Sequence, residues 1–185
     1  MKKWLEKVDW IYVIVPLALL GTFWVIAAFA GQWPWQSNPY NSYALQTDSW
    51  LKGRLDLGQD YPWLELAIYQ GKYFVSFPPF PSYVLIPFVM IFGTNTPDHL
   101  IALLVTIAGC VYAIKLYREV SLEKQHALFW VLMLYFASGY LFVGMNGYVW
   151  FIAQSMSFTL SLMALYYALR QKGGLSLAFW ACAVG

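Results

Sequence analysis

Pro79-Phe80-Pro81-Ser82-Tyr83-Val84-Leu85-Ile86-Pro87-Phe88-Val89-Met90-Ile91-Phe92-Gly93 decides how this chain is laid out. The stretch is apolar but only about 15 residues long, and a bilayer span needs about 20. Pro81 and Pro87 interrupt it. Suppose it crossed a membrane, with the N-terminus cytoplasmic. The basic loop Lys115, Arg118 and Lys124 would then lie outside, against the rule that cytoplasmic loops carry the excess of Lys and Arg. Laid at the interface instead, the segment lets Lys2, Lys3, Lys7, Lys115, Arg118, Lys124, Arg170 and Lys172 all be cytoplasmic. The loop 31–98 is then external. It keeps only Lys52, Arg54 and Lys72, and it holds five of the nine acidic residues: Asp48, Asp56, Asp60, Glu65 and Asp98.

Composition agrees with a membrane setting. Of 185 residues, 61% are hydrophobic and 11% charged, where a soluble domain carries about 25% charged residues. Spans are expected at about 10–30, 99–117, 127–143 and 149–169, with a fifth starting near Leu175 and reaching only to Gly185. The expected fold class is all-α: one polytopic transmembrane domain over 1–185. Its large external loop would carry membrane-surface helices and a short hairpin, and its place is the cell membrane. The short fifth segment predicts the front part of a longer protein, or a half completed by another membrane subunit. The N-terminus has the outline of a secretory signal, with lysines before an apolar run that ends Ala28-Phe29-Ala30. That run exceeds the usual apolar core of about 7–15 residues, so it is read as an uncleaved span.

Several classes are excluded. A net charge of +2 gives no basic face for nucleic acid. Cys110 and Cys182 sit inside apolar blocks as small packing residues. His99 and His126 stand singly, without ligand spacing, so no metal is expected; nor is any cofactor. The spans lack embedded charges, which counts against an ion pump or proton-coupled carrier.

Within the loop, Asn38 and Pro39 suit a helix start, and Gly53 suits its end. Tyr40, Tyr43, Ala44, Thr47 and Leu51 would share one face of that helix; Asn41, Asp48 and Lys52 would share another. Residues 65–69 and 72–76, joined by Gln70-Gly71, read as a β-hairpin. Phe77-Pro78-Pro79-Phe80-Pro81 is a stiff extended passage. Trp33, Trp35, Trp50 and Trp63 are placed to anchor the loop at the bilayer boundary. Gly147-Tyr148-Val149-Trp150 opens the fourth span, and Gln154 follows within it as a candidate for hydrogen bonding between helices.

Three pieces together resemble the N-terminal part of the membrane glycosyltransferases with the GT-C fold, bacterial relatives of protein O-mannosyltransferases and the lipid A aminoarabinose transferase. They are Tyr43-Ala44-Leu45-Gln46-Thr47-Asp48-Ser49-Trp50-Leu51-Lys52-Gly53-Arg54-Leu55, then Gly71-Lys72-Tyr73, then Phe77-Pro78-Pro79. The resemblance implies transfer of a sugar from a polyprenyl-phosphate donor, at the outer face, to an acceptor it does not specify. Relatives carry an acid near the start of the first surface helix; here Asn38-Pro39-Tyr40-Asn41 stands there, and Asp48 is the nearest carboxylate. The implied base is Asp48 or Glu65. Lys52, Arg54, Lys72 and Tyr73 are the implied donor-binding residues, and membrane lipid surrounds the chain. The rival expectation is a non-catalytic scaffold, an accessory subunit or an inactive remnant of such an enzyme.

Overall fold

The computed structural model describes residues 9–185. The expected cytoplasmic placement of Lys2, Lys3 and Lys7 lies outside the described residues. The fold is mostly helical: α1 (Ile11–Ala30), α2 (Ser42–Leu51), β1 (Leu66–Tyr69), β2 (Lys72–Val75), α3 (Phe80–Phe92), α4 (Asp98–Val120), α5 (Ala127–Phe136), α6 (Tyr140–Met145), α7 (Val149–Leu169) and α8 (Gly173–Val184). Among the described residues, α1, α4 and α7 are long and apolar enough to cross a membrane.

The centre of the bundle is α4, which packs against α7, α1, α5 and α6; α6 also packs against α7. α1 is held by a narrow stripe. Ile11, Val15, Leu19, Phe23 and Ala27 recur every fourth residue and are buried, because residues four apart stack on one helix face. The rest of α1 is bare: Leu17, Val25 and Phe29 are 59%, 56% and 90% exposed. Ile11, Val15 and Leu19 share one cluster with Cys110, Ile114, Val131 and Tyr135.

The two ends of the bundle differ. At one end meet the C-terminus of α1, the first turn of α4 and the turn before α7; residues 31–97 gather there as a lobe. At the far end Arg118 pairs with Asp9, and Arg170 Nη1 lies 3.3 Å from Glu119 Oε1.

The run 127–143, expected as one continuous helix, is broken into α5 and α6. Ser138 supplies the physical reason. Its Oγ donates to Leu134 O at 2.5 Å and accepts from Tyr140 N at 3.1 Å. A serine that bonds its neighbouring backbone competes with helix propagation, and Gly139 beside it adds little helical preference. The run still follows α4 back along its length. Tyr135 packs near Cys110, Thr106 Oγ1 donates to Gly144 O at 2.8 Å, and Met145 packs near Leu103.

In the lobe the hairpin forms as its sequence indicates, with Leu66 opposite Val75 and Tyr69 opposite Lys72. Gln70 and Gly71 both have positive φ, 49° and 72°, the backbone of a two-residue type I′ turn. The first surface helix starts later than expected, at Ser42: Asn38 Oδ1 accepts from Tyr40 N in a turn that precedes the helix. Tyr43, Ala44 and Thr47 share one face as expected and that face is buried, whereas Leu51 is 48% exposed, and Ser42, Gln46 and Ser49 are buried in addition. The partner surface explains that shift. α3 presents Ser82 to α2: Ser82 Oγ donates to Gln46 Oε1 at 2.6 Å, and Thr47 Oγ1 donates to Ser82 O at 2.8 Å. The buried side of α2 is therefore partly polar: Gln46 and Thr47 both bond Ser82, whereas Ser42 Oγ and Tyr43 OH are buried without a hydrogen-bond partner among the described residues.

The 13 residues of α3 make it about 20 Å long. It slants against the bundle. Phe80 and Val84 neighbour Ala108, Leu160 and Met163, while Leu85 and Val89 join a cluster with Ile101, Ala102 and Val149. The apolar N-terminal half of α3 thus sits farther along α4 and α7 than its C-terminus.

Candidate functional site

Besides the apolar packing of α3, the lobe is fastened to the helices by a buried polar latch. Asn38 Nδ2 donates to Asp98 Oδ2 at 2.9 Å and to Gly147 O at 3.0 Å. The Asn38 backbone N–H also points at Asp98 Oδ2, at 3.4 Å, and Asn38 Oδ1 accepts from Tyr40 N at 2.8 Å. Gly147 N lies 3.2 Å from His99 Nδ1 as a donor, and Met145 O lies 3.5 Å from the same nitrogen. Asn38, Asp98 and His99 are 5%, 2% and 5% exposed. Asp98 opens α4, where the unsatisfied N–H groups and the helix dipole favour an acidic side chain. Gly147 is needed for its lack of a Cβ. A methyl there would stand 2.4 Å from Asp98 C and 2.5 Å from His99 N, so only glycine lets the two backbones come this close.

An aromatic rim surrounds this latch. Tyr148 lies edge-on to Tyr40 and to His99, with centroids 5.6 and 5.5 Å away, and its hydroxyl accepts from Gln32 Nε2 at 2.9 Å. Trp33 and Trp35 stack at 5.3 Å, and both meet Trp24. Trp63 Nε1 donates to Pro39 O at 3.0 Å, and Trp50 packs against Tyr83.

The charged candidates lie farther out on the lobe. Asp48 and Lys52 form the i, i+4 pair on α2, with Lys52 Nζ 2.6 Å from Asp48 Oδ2. The second carboxylate oxygen of Asp48 makes no hydrogen bond among the described residues. Glu65, just before β1, accepts through Oε2 from Trp150 Nε1 at 3.2 Å, which ties the hairpin to the first turn of α7. Lys72 is exposed at the hairpin turn, and Arg54 is exposed with its guanidinium folded over Gly58. Tyr73 is half-buried, and its carbonyl accepts from Leu57 N at 2.9 Å. The recorded contacts among the described residues bring Asp48 to Lys52 and join no other pair within this set. Tyr43 is unsuited to proton transfer near neutral pH: it is buried, and that burial pushes its phenol well above the usual range.

Two apolar cavities flank α3. One of 260 Å³ is bounded by Pro78, Phe80, Gln154, Met156, Ser157 and Cys182. The other, of 180 Å³, is bounded by Phe80, Val84, Ala108, Leu160 and Met163. Phe80 and Met156 line both, so the two adjoin. Gln154 points into the first and makes no side-chain hydrogen bond among the described residues, whereas the sequence pattern favours bonding between helices.

Sequence reasoning treats Asn38 as a helix cap and leaves Asp98, His99 and Gly147 without a joint role. Only one signal was available: Gly147 at the start of an aromatic turn beside a span. No known protein family, curated protein sequence or solved structure matches this chain.

Proposed function

We propose that this chain is a membrane-embedded glycosyltransferase of the kind its sequence resembles. α1, α4 and α7 cross the bilayer, the N-terminus is cytoplasmic and the lobe 31–98 is external. Bare apolar side chains along α1 support insertion, since soluble surfaces rarely expose such contiguous patches. The observation that carries the enzymatic reading is the apolar groove along α3. Pro78 lines it, and Pro78 follows closely on the hairpin that bears Lys72 and Glu65. In this reading an isoprenyl tail lies in that groove with its phosphate toward the lobe that carries Lys52, Arg54 and Lys72.

In this reading an acceptor hydroxyl attacks the anomeric carbon as the bond from that carbon to the phosphate oxygen breaks. The hydroxyl proton passes to Asp48 and polyprenyl phosphate departs. A positioned carboxylate base typically contributes about 10²–10⁴-fold. Lys52 fixes one oxygen of Asp48 and leaves the other to accept the proton. Lys52, Arg54 and Lys72 supply positive charge for the departing phosphate, and Tyr73 orders the hairpin strand.

The test is sugar transfer in membranes that contain the chain, with a radiolabelled polyprenyl-phosphate hexose as probe. Asp48→Asn abolishes transfer while the chain still accumulates; Lys72→Ala chiefly weakens donor binding. Transfer surviving Asp48→Asn but lost in Glu65→Gln moves the base to Glu65. One observation favours a non-catalytic membrane scaffold, accessory subunit or remnant instead: Asp48 and Glu65 have separate partners and are not held to one another. Transfer that survives both substitutions makes the lobe's acids structural, and wild-type transfer no greater than that of membranes without the chain selects the second reading.

A further inference from the structure

The far end of the bundle carries basic residues of two kinds. Arg118 and Arg170 are paired with Asp9 and Glu119. Lys115 and Lys172 make no ion pair among the described residues. Both rest instead on one cluster of tyrosines. Lys115 Nζ stands 4.6 Å from the centre of the Tyr112 ring and 5.8 Å from that of Tyr166; Lys172 Nζ stands 5.9 Å from that of Tyr167. The rings hold one another in place. The Tyr112 and Tyr167 hydroxyls are 3.1 Å apart, Tyr166 lies edge-on to Tyr112, and Tyr167 stacks on Phe179. Side chains of α4, α7 and α8 thus build one cluster whose ring faces orient both ammonium groups without neutralising them. Leu169 and Leu177, on α7 and α8, are exposed near the same end.

We propose that this tyrosine-held lysine pair binds the headgroup phosphate of an anionic phospholipid, whose acyl chains lie along the exposed leucines. The proposal rests on the reading that the long helices cross a bilayer. Given that, the cluster lies at the headgroup level, where tyrosines concentrate. Basic pockets between helices on the cytoplasmic side are suited to anionic headgroups. A phosphodiester carries the one charge and the acceptor oxygens that two ammonium groups lack here, and the apolar flank favours a lipid over a free anion.

The full chain in detergent, titrated with dioleoyl-phosphatidylglycerol or dioleoyl-phosphatidylcholine and followed by native mass spectrometry, tests this. The wild type retains phosphatidylglycerol in preference to phosphatidylcholine. Lys115→Gln with Lys172→Gln lowers that retention by roughly thirtyfold, whereas Lys115→Arg with Lys172→Arg keeps it. Three results overturn the site: no preference for phosphatidylglycerol in the wild type, unchanged retention in the glutamine pair, or displacement of the lipid by equimolar inorganic phosphate. Retention is measured without sugar transfer, and Asp48 lies at the other end of the bundle, so this site and the glycosyltransferase reading can fail separately.

Discussion

Gly147→Ala tests the latch most directly. The added methyl would stand 2.4 Å from Asp98 C, 2.5 Å from His99 N and 2.7 Å from Asp98 O. All three are backbone atoms of the first turn of α4, so no side chain can swing aside. Normal contact requires the two segments to part by about 1 Å, and overpacking of this kind costs about 1–3 kcal/mol. Parting them also strains the bonds from Asn38 Nδ2 to Gly147 O and from Gly147 N to His99 Nδ1, each worth about 0.5–1.5 kcal/mol. A loss of about 3 kcal/mol is expected, or roughly 6–12 °C in Tm for a chain of this size. The assay is thermal unfolding in detergent, with Gly21→Ala as reference. A Cβ on Gly21 meets nothing within 4 Å, and alanine is favoured over glycine inside a helix by about 0.8–1.0 kcal/mol. Gly147→Ala melting within about 1 °C of the wild type would refute the close approach, and with it the polar latch.

Three further outcomes follow from the same geometry. Single cysteines at Gln59 and Gln125 should differ toward an impermeant thiol reagent in intact cells: Gln59→Cys labels and Gln125→Cys does not, and the reverse pattern would invert the proposed topology. Thr47→Val removes the bond to Ser82 O and should destabilise the chain by about 1 kcal/mol, read by the same melt; a neutral result means that this bond adds nothing to the hold of α2 on α3. Trp150→Phe removes the donor to Glu65 and should loosen the hairpin, read as faster amide exchange at residues 66–75; unchanged exchange would show the hairpin to be independent of α7.

The parts of the fold legible in the sequence are those set by local rules. α1, α4 and α7 announce themselves as long apolar runs, the hairpin by its Gln70-Gly71 turn between β-forming residues, and α3 by its proline-rich start. What escaped depends on distant partners. Asn38 suits a helix cap in isolation; its Oδ1 does accept from Tyr40 N, but its Nδ2 also reaches Asp98 and Gly147, which local sequence does not announce. The inward side of α2 could not be read from apolarity, because Ser82 across the interface makes Gln46 a welcome buried residue. The break between α5 and α6 turns on the local bonds of Ser138, a weak signal inside a strong apolar run. For the candidate site, the Asp48–Lys52 pair is written in i, i+4 spacing, whereas the link from Glu65 to Trp150 spans 85 positions and leaves no trace in either neighbourhood.

The latch also has a birth order. Asn38 and Gly147 are separated by 109 positions, and a ribosome making about 5–20 residues per second needs about 5 to 20 seconds to cover them. During that interval the hairpin and α2 can fold locally, but the amide of Asn38 has no Gly147 carbonyl to hold. The lobe is therefore held first to α4, through Asp98, and gains its second buried anchor only when Gly147 and the third long helix emerge. A nascent chain stalled just before Gly147 would expose the lobe to protease more than one stalled well past Trp150.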